Sequence, residues 1–264
     1  MMRALYTASS GMYAQQLNVD TIAHNMSNVN TTGFKKQRVE FQDLLYQTIK
    51  RPATTPPADQ GIEPVGLSVG LGVKPAVINS LFTEGNLQPT ENLLDVAIEG
   101  AGFFAIQVPG TDIPQYTRDG SFKLDAEGRL VTSDGYYVIG VDSPVDEGAY
   151  DVKIESDGRL TYMLPDGTEG EAGQIEVDKF TNPAGLQKMG KNLYQATVNS
   201  GDPIIWDPEA DSTTSLEPGY LETSNIQVVE EMVNLISAQR ANETNSKVIQ
   251  SSDEMLQTAN NLRR

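Results

Sequence analysis

Two long helix-forming segments stand at the two ends of this sequence, and each carries an apolar stripe that must be buried against something. At the N-terminal end Leu5, Ala8, Met12, Gln15, Val19, Ile22, Met26 and Val29 follow one another in alternating steps of three and four, and seven of these eight are apolar. That spacing keeps them on one side of a helix, as in the heptad pattern of helix-on-helix packing. An ordinary amphipathic helix covering a local core shows the same spacing over so short a run. The pattern runs out at Asn28 to Gly33, where amides and a glycine suit a helix C-terminus.

At the other end Ser224-Asn225-Ile226-Gln227 fits a capping box and predicts a helix from Asn225 to Leu262. Such a helix would be roughly 57 Å long at about 1.5 Å per residue, against a usual length of about 11–12 residues. It is broadly apolar from Ile226 to Ile236, poor in apolar residues from Ser237 to Lys247, and apolar again at Val248, Ile249, Met255 and Leu256. A striped helix at each end predicts that the termini pack together as a coiled-coil-like pair.

Between them the texture changes. Residues 52–72 are rich in proline and glycine and low in charge, which excludes an ordinary helix. Ile62, Val65, Leu67, Val69 and Leu71 alternate along the end of this stretch, so it reads either as a flexible tether or as an ordered arm laid on a neighbour. From Lys74 to Gly219 short β-type runs are punctuated by Asp119-Gly120, Asp134-Gly135, Asp157-Gly158 and Asp166-Gly167. Asp-Gly pairs favour two-residue hairpin turns. The fold class expected is therefore α+β: an antiparallel β-rich central domain with long N- and C-terminal helices. The expected segments are an N-terminal helical region (1–45), an extended arm (46–72), a β-rich domain (73–220) and a C-terminal helix (221–264).

Charge follows the same division. Residues 52–220 carry nine Lys/Arg against 27 Asp/Glu, whereas residues 1–51 carry six against three and 221–264 four against six. An acidic middle repels nucleic acid and anionic lipid. The nearly neutral ends can meet copies of themselves without a large Coulomb penalty. No window approaches the roughly 18 apolar residues of a membrane span, and the first residues turn polar too early for a secretory h-region.

The chemistry of catalysis is missing. The chain has no cysteine and one histidine, His24, which excludes thiol nucleophiles and His/Cys zinc clusters. The acids sit largely beside glycine in turn phrases, no stretch matches a calcium loop, and Gly66 to Gly72 lacks the Lys-Ser/Thr of a phosphate loop. No catalytic, cofactor-binding or metal site is expected.

One phrase, Ile22-Ala23-His24-Asn25-Met26-Ser27-Asn28-Val29-Asn30-Thr31-Thr32-Gly33-Phe34-Lys35, resembles the N-terminal signature of the bacterial flagellar rod and hook protein family. The other end agrees, from Gly219-Tyr220-Leu221-Glu222-Thr223-Ser224-Asn225 through Val228 to Ile236 and on to Lys247. In the middle, Asp95-Val96-Ala97-Ile98, Gly102-Phe103-Phe104, Tyr116-Thr117-Arg118-Asp119-Gly120-Ser121-Phe122 and Asn182-Pro183-Ala184-Gly185-Leu186 are most similar to the distal-rod branch of that family.

The resemblance implies a structural subunit of a tubular axial assembly, with terminal helices inside and the β domain facing outward. It also implies export through the flagellar type III apparatus without a cleaved signal, and a place in the basal-body rod across the periplasm. The implied partners are further copies of the chain, other rod proteins, the hook protein and bushing-ring proteins. A proximal rod or hook subunit shares the terminal signatures, and a monomeric extracellular β-domain binding module is the rival of a different class. On this reading the assembly interface draws on Leu5, Met12, Val19, Ile22, Asn25, Asn28, Asn30, Gly33 and Phe34 near one end. From the other it draws on Val229, Met232, Ile236, Asn242 and Asn245, with asparagines fixing register through side-chain hydrogen bonds.

Overall fold

A computed structural model describes residues 2–50, 66–111, 113–141, 143–146, 148–208, 210, 211 and 213–261. The interior of the Pro/Gly-rich arm, 51–65, lies outside the described residues, as do the ends of both expected helices at Met1 and Leu262. The chain divides into two units: residues 1–26, 37–79 and 228–264 form one, and 27–36 with 80–227 form the other.

The first unit holds both terminal helices, α1 (Met2–Ser27) and α2 (Val228–Asn261). They meet at two points. A Cβ placed on Gly11 would lie 3.0 Å from Asn245 Nδ2, and Asn25 Nδ2 donates to Glu231 Oε2 at 3.1 Å. Between these contacts α1 advances from 11 to 25 while α2 retreats from 245 to 231, so the helices run antiparallel over about 21 Å at about 1.5 Å per residue.

Glu231, Leu235, Ala238, Asn242, Asn245, Ile249, Ser252 and Leu256 on α2 step by four and three, and all are buried or half-buried. The covered seam is therefore small and polar in its middle, which is where hydrophobicity alone sees no stripe. Two strand pairs complete the unit: Gln37–Asp43 with Val73–Ser80, and, antiparallel, Tyr46–Lys50 with Leu67–Gly70.

The expected capping box at Ser224 does not form. Asn225 Nδ2 donates to Leu81 O and to Thr83 O, its Oδ1 accepts from Lys36 N, and Ser224 Oγ is buried without a hydrogen-bond partner. With Asn225 held there, the helix starts at Val228, and Glu230 and Glu231 supply its acidic first turn.

The second unit is built on Phe103–Gln107, the central strand of a nine-stranded sheet. On one edge it pairs with Gln115–Thr117, in register Ala105↔Tyr116. On the other it pairs with Val177–Lys179 and then Tyr137–Val138. Alternation along this strand divides the core, because successive side chains point to opposite faces. Phe104 and Ile106 enter a large cluster with Ile98, Phe122, Leu130, Leu160, Val177, Trp206 and Leu216. Phe103 and Ala105 enter a smaller one with Tyr116, Phe180, Leu186 and Tyr194. There the Phe103–Phe180 and Tyr116–Phe180 rings meet edge-on at 5.8 and 4.8 Å. Each fully buried large apolar side chain contributes about 1.5–3 kcal/mol, so this unit carries a self-sufficient core.

The turns correct one detail of the sequence reading. At Gly158 φ is +85°; Gly158 N donates to Glu155 O and Glu155 N donates to Arg159 O, both at 2.9 Å. This is a type I turn followed by a left-handed glycine, not a two-residue turn with Asp-Gly at its centre. The same pair of bonds recurs at 125–129, 132–136 and 164–168. Asp119-Gly120 is no hairpin turn: a Cβ on Gly120 would strike Val96 O at 1.7 Å, and Val96 N donates to Gly120 O. That glycine permits a close backbone approach.

Candidate assembly surface and the buried charge cluster

The N-terminal turns of α2 put apolar side chains where nothing among the described residues covers them. Val229, Met232, Val233 and Ile236 are 72, 44, 57 and 51% exposed. Their spacing of three, one and three makes a single stripe on the helix. Glu231, facing the other way, is buried and holds Asn25. Further along α2, Val248 and Met255 are exposed, and on α1 so are Tyr6 and Tyr13. Met12 and Asn242 line an open groove of about 400 Å³ with Gln239, Glu243 and Ser246.

The remaining residues expected at an interface fall into two groups. Leu5, Met12, Val19, Asn242 and Asn245 are half-buried. Ile22 and Asn25 are buried within the chain. Asn25 Nδ2 donates to Gln37 O at 2.8 Å and its Oδ1 accepts from Gln37 N at 2.9 Å, so one amide replaces a strand neighbour and ties α1 to the strand that follows. In the other unit, Asn28 Oδ1 accepts from Thr31 Oγ1, Asn30 is exposed and Phe34 is half-buried. Gly33 is buried, with φ +66°, and donates its N–H to Glu222 O at 2.8 Å.

Sequence reasoning missed the charge cluster beneath Gly33. Lys35 Nζ donates to Glu222 Oε1 at 2.6 Å and to Thr83 O at 2.8 Å. Arg118 Nη1 donates to Glu222 Oε2 at 3.3 Å and to Ile98 O, and Nη2 donates to Gly100 O at 2.6 Å. Gly85 N adds a further donor to Glu222 Oε1. All three side chains are 1–3% exposed. The Arg118 guanidinium also sits 5.6 Å from the centre of the Phe103 ring.

Burial, and then the neighbouring Arg118, pull the Lys35 ammonium below the usual lysine value, while Glu222 pulls it back. Burial lowers Arg118 likewise, against Glu222 and Glu84. One carboxylate thus holds two buried cations. Lys35 and Glu222 lie 187 positions apart in the chain. Nothing in the local sequence marks either residue, since Lys35 stands beside Lys36 and Glu222 follows the uncharged Pro218-Gly219-Tyr220-Leu221.

No helix of the described residues is long and apolar enough to cross a membrane, and among them no cluster of three or more His, Cys, Asp or Glu could hold a metal.

Three family profiles match the chain: "Flagella basal body rod protein" over residues 5–35, "Flagellar hook protein FlgE/F/G D1 domain" over 97–162, and "Flagellar basal body rod FlgEFG protein C-terminal" over 217–262. The cluster takes Lys35, Arg118 and Glu222 from these three segments, one from each. The chain is 50% identical to the flagellar basal-body rod protein FlgG of Borreliella burgdorferi, over 100% of both chains. It is 42% identical to the protein of that name from Buchnera aphidicola subsp. Schizaphis graminum, over 99% of this chain and 100% of the other. A hook protein, FlgE of Helicobacter mustelae, is 44% identical over 53% of this chain and 31% of its own length. The chain belongs to the flagellar basal-body rod protein family.

Proposed function

We propose that this chain is a subunit of the distal rod that polymerises through its terminal helices into a stiff tube. The observation that carries this is the uncovered stripe Val229, Met232, Val233 and Ile236, four apolar side chains in line on a helix whose opposite side is already packed. In water such a stripe is a cost, and a second copy removes it. Leu5, Met12, Val19, Asn242 and Asn245, half-buried along the two helices, would extend the contact, as would Asn28, Asn30 and Phe34. Ile22, Asn25 and Gly33 act through the chain's own packing.

In this reading residues 1–45 and 221–264 form the axial core, the helices wind as a coiled-coil-like pair, and the acidic 73–220 faces solvent outside it. The arm 46–72 stiffens the tube by bracing neighbours. The tube is continuous with other rod proteins and the hook protein within the flagellum, bushing-ring proteins surround it, and the type III apparatus exports its subunits. Catalysis has no part in this role. Electron microscopy of the concentrated protein should reveal tubes, and Val233→Asp should abolish them while leaving the β-rich unit folded, because a carboxylate cannot enter an apolar interface unpaired. Tubes of normal form from Val233→Asp would remove the stripe from the account.

A further inference from the structure

In the β-rich unit a cleft of about 310 Å³ opens beside the turn of the hairpin Gln187–Gly190 with Leu193–Gln195. That volume is at the low end of ligand pockets. The lining is neither apolar nor of one sign: Ser121 and Ser133 bring hydroxyls, Asp119 and Asp134 carboxylates, Lys191 an ammonium and Tyr136 a phenol ring. The ring packs against the large core cluster, and its hydroxyl accepts from Lys191 Nζ at 2.9 Å. Asp119 Oδ1 accepts from Ser121 N at 3.1 Å, and burial pushes this carboxyl above the usual aspartate range.

The turn that supplies Lys191 is costly. Lys191 and Asn192 occupy its two central positions with φ +53° and +60°. Asparagine and glycine are at ease in this left-handed region and lysine is not, so glycine at 191 would make the same turn without strain. Thr117 Oγ1 donates to Asn192 O at 3.0 Å and Asn192 Nδ2 donates to Thr32 O at 3.3 Å, which fixes the turn in place. From it the lysine reaches Tyr136 and, at 3.6 Å, Asp134. The Lys191–Asp134 pair is 61 and 44% exposed, so it returns little stability. Backbone strain that stability does not repay gathers where a ligand is held.

The lining also selects the ligand. An anion would meet Asp119 and Asp134, and an apolar molecule would strand the hydroxyls and charges. A ligand that donates and accepts along the same edge, and lays C–H groups on a ring, satisfies the whole set. We propose that this cleft binds a neutral saccharide: Asp119 and Asp134 accept from its hydroxyls, the remaining Lys191 N–H donates to it, and the Tyr136 ring lies against a sugar ring. The site does not depend on the self-assembly reading.

Saturation-transfer difference NMR on the full-length protein tests this, with the tetramer of N-acetylglucosamine and with maltotetraose as probes. Transfer to at least one of them is expected. Lys191→Gly should weaken it several-fold without lowering the melting midpoint, because glycine suits the turn. Asp134→Ala, at an exposed position, should weaken it as well. Absence of transfer to both probes would overturn the proposal. So would transfer that survives both substitutions, since the sugar would then bind elsewhere. If argininamide shifts the resonances of residues 119 and 134 where neither sugar does, the cleft is a cation site and the proposal fails.

Discussion

The two units of this chain solve the burial problem in opposite ways. The β-rich unit encloses Phe103, Phe104, Ile106, Tyr116, Phe122 and Leu160 at 0–2% exposure and places polar turns outside. The helical unit covers Glu231, Ala238 and Ser252 and leaves Val229, Met232, Val233 and Ile236 in water. One unit encloses its apolar side chains, and the other leaves a stripe of them exposed. On the proposed function a polymer subunit gains from this split, since the enclosed unit is finished before assembly and the uncovered stripe supplies the drive for it.

The strongest way to break the comparison is to attack the charge cluster. Glu222→Ala leaves Lys35 and Arg118 buried without their carboxylate, and losing one partner of a buried ion pair costs about 3–5 kcal/mol. Denaturant melts should place that loss on the β-rich unit, with the near-ultraviolet signal of Trp206 following it. A loss below about 1 kcal/mol would mean that the cluster contributes little to closing this unit.

Acid gives a smaller effect on the same unit. Asp178 is 2% exposed with Oδ1 unpartnered, and burial, then Glu176, push its carboxyl up to about 6, against a hydrogen bond from Tyr116. A carboxyl raised above its unfolded value near 3.8 favours the folded state fully below that value, and the gain is lost as pH rises through about 6. Asp178→Asn should therefore remove on the order of 1 kcal/mol of stability difference between about pH 5 and about pH 7.5. An unchanged pH profile in the variant would assign the dependence to other carboxyls.

Within the helical unit, Gly11→Val would drive a side chain into Asn245 and part the helices, an overpacking cost of about 1–2 kcal/mol read from helix melting. Ile236→Asp, on the uncovered stripe, should change monomer stability by less than about 0.5 kcal/mol and yet prevent assembly. That pairing of small and total effects is what separates a surface awaiting a partner from a core.

Much of this was legible in the residues. The terminal helices and the antiparallel β-rich middle follow from periodicity and turn chemistry. The α2 seam was not legible, because packing against Gly11 selects small and polar side chains such as Ala238, Asn245 and Ser252, which hydrophobicity does not score. Nor was the start of α2 at Val228, since Asn225 serves the backbone of 36, 81 and 83, which lie far off in sequence. The charge cluster failed for the same reason: each member has an ordinary local context, and only the fold brings Lys35, Arg118 and Glu222 together.

Hydrogen exchange, measured residue by residue on the monomer and on the assembled polymer, tests the contrast between the units most directly. The account predicts slow exchange across Phe103–Gln107 in both states, and fast exchange along α1 and α2 in the monomer that becomes slow on assembly. Helices already as protected as the sheet in a demonstrated monomer, with no change on assembly, would contradict it.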